Sequence, residues 1–166
     1  MNYLEITEYF ENLAAQHKDV KHTDGTPHFF RINIEDLFSA FKSDIQFPAV
    51  FLELPESRVH GETLDNTFLT HYVALTFMNK VAAGDRAEEL DTYQKMEHLG
   101  MQFLARLKRD YTNFSDRKIK LFDFKDIKIF KVGPMNHNCY GMRFEFGIGE
   151  PANVFMNYNS QNWLDS

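Results

Sequence analysis

Apolar residues fall at helical spacing over residues 3–18: Ile6, Phe10, Leu13, Ala14 and His17 share one face, with Glu8, Glu11 and Asn12 opposite. Asn2 stands before this run and Glu5 follows three residues later, the spacing of a capping box. A turn cluster, Thr23-Asp24-Gly25-Thr26-Pro27, separates it from a short strand at 28–32. Asn33 then caps a second predicted helix, 34–42, whose Ile34, Leu37, Phe38 and Phe41 are spaced i, i+3, i+4, i+7.

The run 47–54 is almost wholly apolar, which predicts a strand covered on both faces, with Pro48 at its start or on an edge. Residues 55–66 are polar and read as a mobile loop. From 67 to 80 the pattern alternates. Leu69, His71, Val73, Leu75 and Phe77 share one face of a strand, and Thr70, Tyr72, Ala74, Thr76 and Met78 the other. Ala82-Ala83-Gly84 ends it, and Asp85 with Glu88 caps the longest helix, 86–111. Its apolar face reads Ala87, Leu90, Tyr93, Met96, Gly100, Phe103, Leu104, Leu107 and Tyr111, with acids early and bases late. Residues 118–132 change phase between Asp123 and Asp126, which predicts a bulge or two strands. A turn at 133–138 leads into a clean alternation of Tyr140, Met142, Phe144, Phe146 and Ile148 with Gly141, Arg143, Glu145 and Gly147, closing a hairpin.

The pattern defines an α+β fold. It has a mixed, mainly antiparallel sheet, the long helix packed on one face and smaller N-terminal helices. Residues 1–149 form one domain, and 150–166 an Asn-rich extension that still carries Val154, Phe155, Tyr158, Trp163 and Leu164. A chain of 166 residues needs no metal or disulfide to build its core, and 17 Phe supply much of that core. Either the extension packs on its own domain or it docks on a neighbour, because a free disordered tail seldom holds so many large apolar groups.

Charge narrows the partners. Residues 1–60 hold 5 basic and 10 acidic groups, residues 61–110 hold 6 and 8, and residues 111–166 hold 7 and 6. No part is basic enough for tight nonspecific binding to nucleic acid. The basic run Arg117, Lys118, Lys120, Lys125, Lys128 and Lys131 is diluted by Asp116, Asp123 and Asp126. The single Cys139 suits a reducing cytoplasm and a place in the core. The first residues carry no signal-peptide pattern, and no run is long and apolar enough to span a membrane.

No phosphate loop, nucleophile elbow or CxxC is present. His22, Asp24 and His28 are the best metal-like cluster, but turn-flanking His and Asp ordinarily face water, so no metal and no cofactor is expected. The remaining histidines read as packed or solvated.

The order of elements resembles that of the tail-terminator and tail-completion proteins of long-tailed bacteriophages and their prophage relatives. The resemblance rests on Phe47-Pro48-Ala49-Val50-Phe51-Leu52-Glu53, the strand 67–80, the helix 86–111 and the hairpin ending in Met142-Arg143-Phe144-Glu145-Phe146, and covers most of residues 1–148. It implies a non-enzymatic structural protein, in the bacterial cytoplasm or the virion. Such a protein forms a ring, with six copies the size the resemblance suggests, caps the tail tube and helps join head to tail. Its partners would be copies of itself and tube or connector proteins. By the same analogy the partner surfaces are sought in 55–66, at Arg58, His60 and Glu62, and in the extension, at Phe155, Tyr158 and Trp163. A bacterial adaptor domain using the same aromatic segment, or a small ligand-binding domain or enzyme, are the competing readings.

Overall fold

The structure is a computed structural model and describes residues 1–32, 45–63, 66–113, 119–135, 138–153 and 155–164. The predicted helix at 34–42 lies outside the described residues. A five-stranded sheet carries two helices on one face. The elements in chain order are α1 (Tyr3–Gln16), β1 (Phe29–Arg31), β2 (Ala49–Thr63), β3 (Asn66–Lys80), α2 (Arg86–Thr112), β4 (Leu121–Met135) and β5 (Cys139–Pro151), followed by a 3-10 turn at Ser160–Asn162. Strand order across the sheet is β1-β2-β3-β5-β4. The β1–β2 pair is parallel and every other pair antiparallel. This is the mixed, mainly antiparallel α+β architecture the pattern predicts, built as one sheet.

The helix ends follow from their caps. Asn2 and Glu5 form the full capping box at the start of α1. At α2, Asp85 accepts from the amides of Ala87 and Glu88, but Glu88 does not complete a box. Its carboxylate reaches back to the amide of Ala82 at 2.8 Å instead, fastening the end of β3's turn to the helix.

The helix side of the sheet holds the main core. Ile6, Phe10, Leu13 and Ala14 of α1, and Met96, Leu99, Phe103, Leu104 and Leu107 of α2, pack on Val50, Leu52, Val73, Leu75, Phe77, Phe144, Phe146 and Ile148. The phenylalanines meet edge to face: Phe77 lies 5.0 Å from Phe103 and 5.6 Å from Phe144 between ring centroids. Gly100 lets α2 approach this closely, since a Cβ there would overlap the Phe144 ring. The expected helix face is wrong at two positions: Leu90, placed on it, is 67% exposed, and Leu99, left off it, is 4% exposed. The first turns of α2 overhang the sheet, so the stripe that packs begins at Thr92 and Met96.

A second, smaller cluster lies on the outer face at one end of the sheet. Ala49, Phe51, Met78, Met135 and Cys139 are buried there. Both faces of Ala49–Leu52 are thus covered, as the all-apolar run requires. Cys139 is fully buried and its thiol is pushed up to about 11 by that burial.

The expected loop at 55–66 is a correction. β2 continues to Thr63 and β3 starts at Asn66, so these residues form the distal arm of a long hairpin. A register shift between Glu53 and Glu56, around buried Pro55, re-phases the strand. Beyond it the arm is exposed on both sides through His60, so its sequence is polar and the alternation that marks a strand is erased. The phase change in 118–132 is a bulge: β4 is one strand with a register shift between Asp123 and Lys128. A second irregularity, between Val132 and Met135, contains Gly133 at φ +115°, a backbone that glycine alone adopts without strain.

Candidate functional site

A cleft of about 1070 Å³ lies between α1, the last turns of α2 and the ends of β3 and β5. Three layers of polar groups line it. At its rim the exposed Ser57 places Oγ 2.7 Å from His71 Nδ1 and 2.9 Å from the Tyr3 hydroxyl. Ser57 and His71 are direct partners in the β2–β3 register, which sets the pair on the helix side of the sheet. His71 is 3% exposed. Burial pushes its pKa below the usual imidazole value, and the N-terminal ammonium adds to that, while the Met1 main chain and Glu150 oppose it. Nε2 lies against this main chain with no hydrogen-bond partner in good geometry.

Beside the pair, Glu150 accepts from the Met1 ammonium and from Lys120 Nζ, the latter at 2.7 Å. Burial alone would raise its carboxyl pKa, but the two cations outweigh that and hold it below the ordinary value. At the far wall Tyr9 donates to Asp110 Oδ2 at 2.9 Å, and Arg106 Nε pairs with Asp110 at 3.0 Å. Burial and the neighbouring carboxylate both raise the Tyr9 hydroxyl's pKa. These groups come from residues up to about 150 positions apart, so no spacing in the chain announces them. His71 was legible only as a histidine inside a strand.

Chemically, Ser57 and a neutral imidazole form the first two members of a nucleophile–base arrangement. A third group orienting the imidazole, as such catalysis ordinarily uses, is not in place, because Glu150 is turned to Met1 and Lys120.

The histidines at the N-terminal turn do not converge. His22 Nδ1 accepts from the amides of His28 and Phe29, at 3.1 and 3.3 Å, and Nε2 faces Glu11 at 3.4 Å. His28 Nδ1 is bonded to the Pro48 carbonyl at 2.8 Å. Both rings fasten the β1 approach to its neighbours, and Asp24 is exposed in the turn. Among the described residues no group of three His, Cys, Asp or Glu could hold a metal ion.

The partner-surface residues fall into two places. Arg58 and His60 lie exposed on the hairpin arm, on the outer face of the sheet. His60 Nε2 is 2.8 Å from Thr70 Oγ1, and its ring stacks on Phe68 at 6.0 Å. Glu62 belongs to the same strand. Phe155, Tyr158 and Trp163 lie in the C-terminal segment, 63%, 74% and 60% exposed. That segment is pinned where it leaves the sheet: Ala152 is buried, its amide donates to the Thr67 carbonyl at 2.8 Å, and Asn153 Oδ1 accepts from the amide and hydroxyl of Thr67. Asn159 caps the 3-10 turn through the Gln161 amide, and Tyr158 stacks on Trp163 at 6.3 Å. Phe155 borders the cleft. The structure therefore brings the extension against the root of β3, and leaves its aromatic side chains facing outward.

No family model, curated protein or solved structure matches this chain.

Proposed function

We propose that the chain is a non-enzymatic assembly protein of the kind it resembles, one that caps a phage-type tail tube and helps head–tail joining. One observation carries the reading: a C-terminal segment fastened to the domain at Ala152 and Asn153 displays Phe155, Met156, Tyr158, Trp163 and Leu164, each more than half exposed. A contiguous group of large apolar side chains held in water marks a protein–protein surface. The element order from β2 to β5 supports it further. In electron micrographs, tubes incubated with the full chain are expected to stop growing and to carry a cap at one end. A chain ended after Asn153 is expected to leave tubes bare. Bare tubes with the full chain would reject the reading.

A ligand-binding or hydrolytic domain is the second reading, favoured by the Ser57–His71 pair in the cleft. A fluorophosphonate probe that labels Ser57, and loses the label in His71→Gln, would support it; no labelling would reject the hydrolytic form.

A further inference from the structure

Every buried histidine, acid or base among the described residues lines one cavity: His71, Asp110 and Glu150 all border the cleft beside α1. Burying such groups is costly, and their collection around one concavity points to a ligand site. About 1070 Å³ holds a drug-sized molecule, and Tyr3, Leu69 and Phe155 give it apolar walls. The charges say which ligand. Each cation at the cleft is already held by a carboxylate. The Met1 ammonium and Lys120 both bond Glu150, and Arg106 Nε reaches the two oxygens of Asp110 at 3.0 and 3.1 Å. An anionic ligand would have to break one of these pairs. Acceptors, by contrast, are in surplus. α1 lines the cleft with Glu5, Glu8, Asn12 and Gln16, spaced i, i+3, i+7 and i+11 along one stripe. Glu5 is engaged by the Asn2 amide and lies 3.7 Å from the Met1 ammonium. Glu8 is exposed, and its carboxylate belongs to no ion pair among the described residues. The aromatic faces of Tyr3 and Phe155 favour the same sign of ligand charge.

We propose that this cleft binds a small organic cation, an ammonium on an apolar stem, with the stem between the apolar walls and the ammonium on Glu8. A free amine and a lysine side chain carry this same chemistry. The inference is independent of tube capping. It gives the ligand-binding reading its ligand class without requiring Ser57 to react.

Amide NMR titration at low ionic strength tests it, with phenethylammonium and 3-phenylpropanoate as probes of similar shape and opposite charge. Phenethylammonium is expected to give saturable shifts confined to the cleft, and phenylpropanoate none. Glu8→Lys is expected to weaken ammonium binding by roughly tenfold, since it replaces attraction by like-charge contact. The variant's spectrum, matching wild type away from the substitution, shows that it is folded. Acetyl-leucyl-lysine amide separates the two sources. Tighter binding than phenethylammonium assigns the cleft to a peptide side chain and weaker binding to a free amine, and both results keep the cation. No saturable binding by either cation, equal binding of the two phenyl probes, or affinity that Glu8→Lys leaves unchanged would each overturn the site. Fluorophosphonate labelling is scored separately. Cation binding without labelling rejects the hydrolytic form and keeps the site, whereas labelling without cation binding does the reverse.

Discussion

Two buried titratable groups make the molecule sensitive to acid at the residue scale. His71 is held neutral by burial, and its folded pKa lies below the ordinary 6.5. As pH falls through that value the unfolded chain takes the proton first, so unfolding is favoured. Glu150, paired with Lys120, has a folded pKa below the ordinary 4.5, so its stabilisation is complete above that value and fades as pH falls further. Thermal midpoints measured against pH are expected to fall in two stages. His71→Gln should flatten the first and Glu150→Gln the second. A profile unchanged by either variant would mean that neither group is held as described. Tyr9 and Asp110 are tested by substitution. Asp110→Ala leaves a buried hydroxyl without its acceptor and should cost about 1–3 kcal/mol in a denaturant titration. None of these pairings was legible in the sequence, because each joins residues tens of positions apart whose types are ordinary on their own. What was legible was the local chemistry: the Asn2–Glu5 box needs only four consecutive residues, and it formed.

At the scale of elements, long amphipathic runs were readable and exposed strands were not. α1, α2 and β5 each keep a wide apolar stripe against the core, so their periodicity survives in the sequence. The hairpin arm faces water on both sides and lost its pattern, which is why 55–66 read as a loop. The helix face at 86–111 was right along most of its length and wrong at its start, since periodicity says which residues align but not where the partner surface ends. This yields a paired prediction: Leu99→Ala should cost about 2–5 kcal/mol, while Leu90→Gln should stay within about 0.5 kcal/mol. Chemical denaturation of the two variants separates them, and equal losses would contradict the placement of α2. At Gly100 an added methyl group meets the Phe144 ring, so Gly100→Ala should destabilise by about 1–3 kcal/mol despite the better helix propensity of alanine.

For the whole molecule, the fold and the proposed assembly surface separate at Asn153. Everything after it is exposed among the described residues, so a chain ended there should keep the thermal midpoint of the full chain within a few degrees while losing attachment to its partner. A large drop in midpoint would show instead that the extension supports the domain. The Asn-rich composition of this end, opaque in the sequence, has a local meaning in two places: Asn153 anchors the segment and Asn159 caps its single turn.

The strand order has a consequence for synthesis. β5 is the last strand made, yet it lies inside the sheet, between β3 and β4. While the chain is emerging, β3 and β4 both wait with unsatisfied inner edges, and the helices have only part of the surface they will cover. Vectorial folding from the N-terminus therefore cannot finish early: the core closes in one late step, when β5 inserts and supplies Phe144, Phe146 and Ile148. Until then the nascent chain is at its most prone to pair with the wrong strand, and a cell making it quickly would meet that hazard on every ribosome.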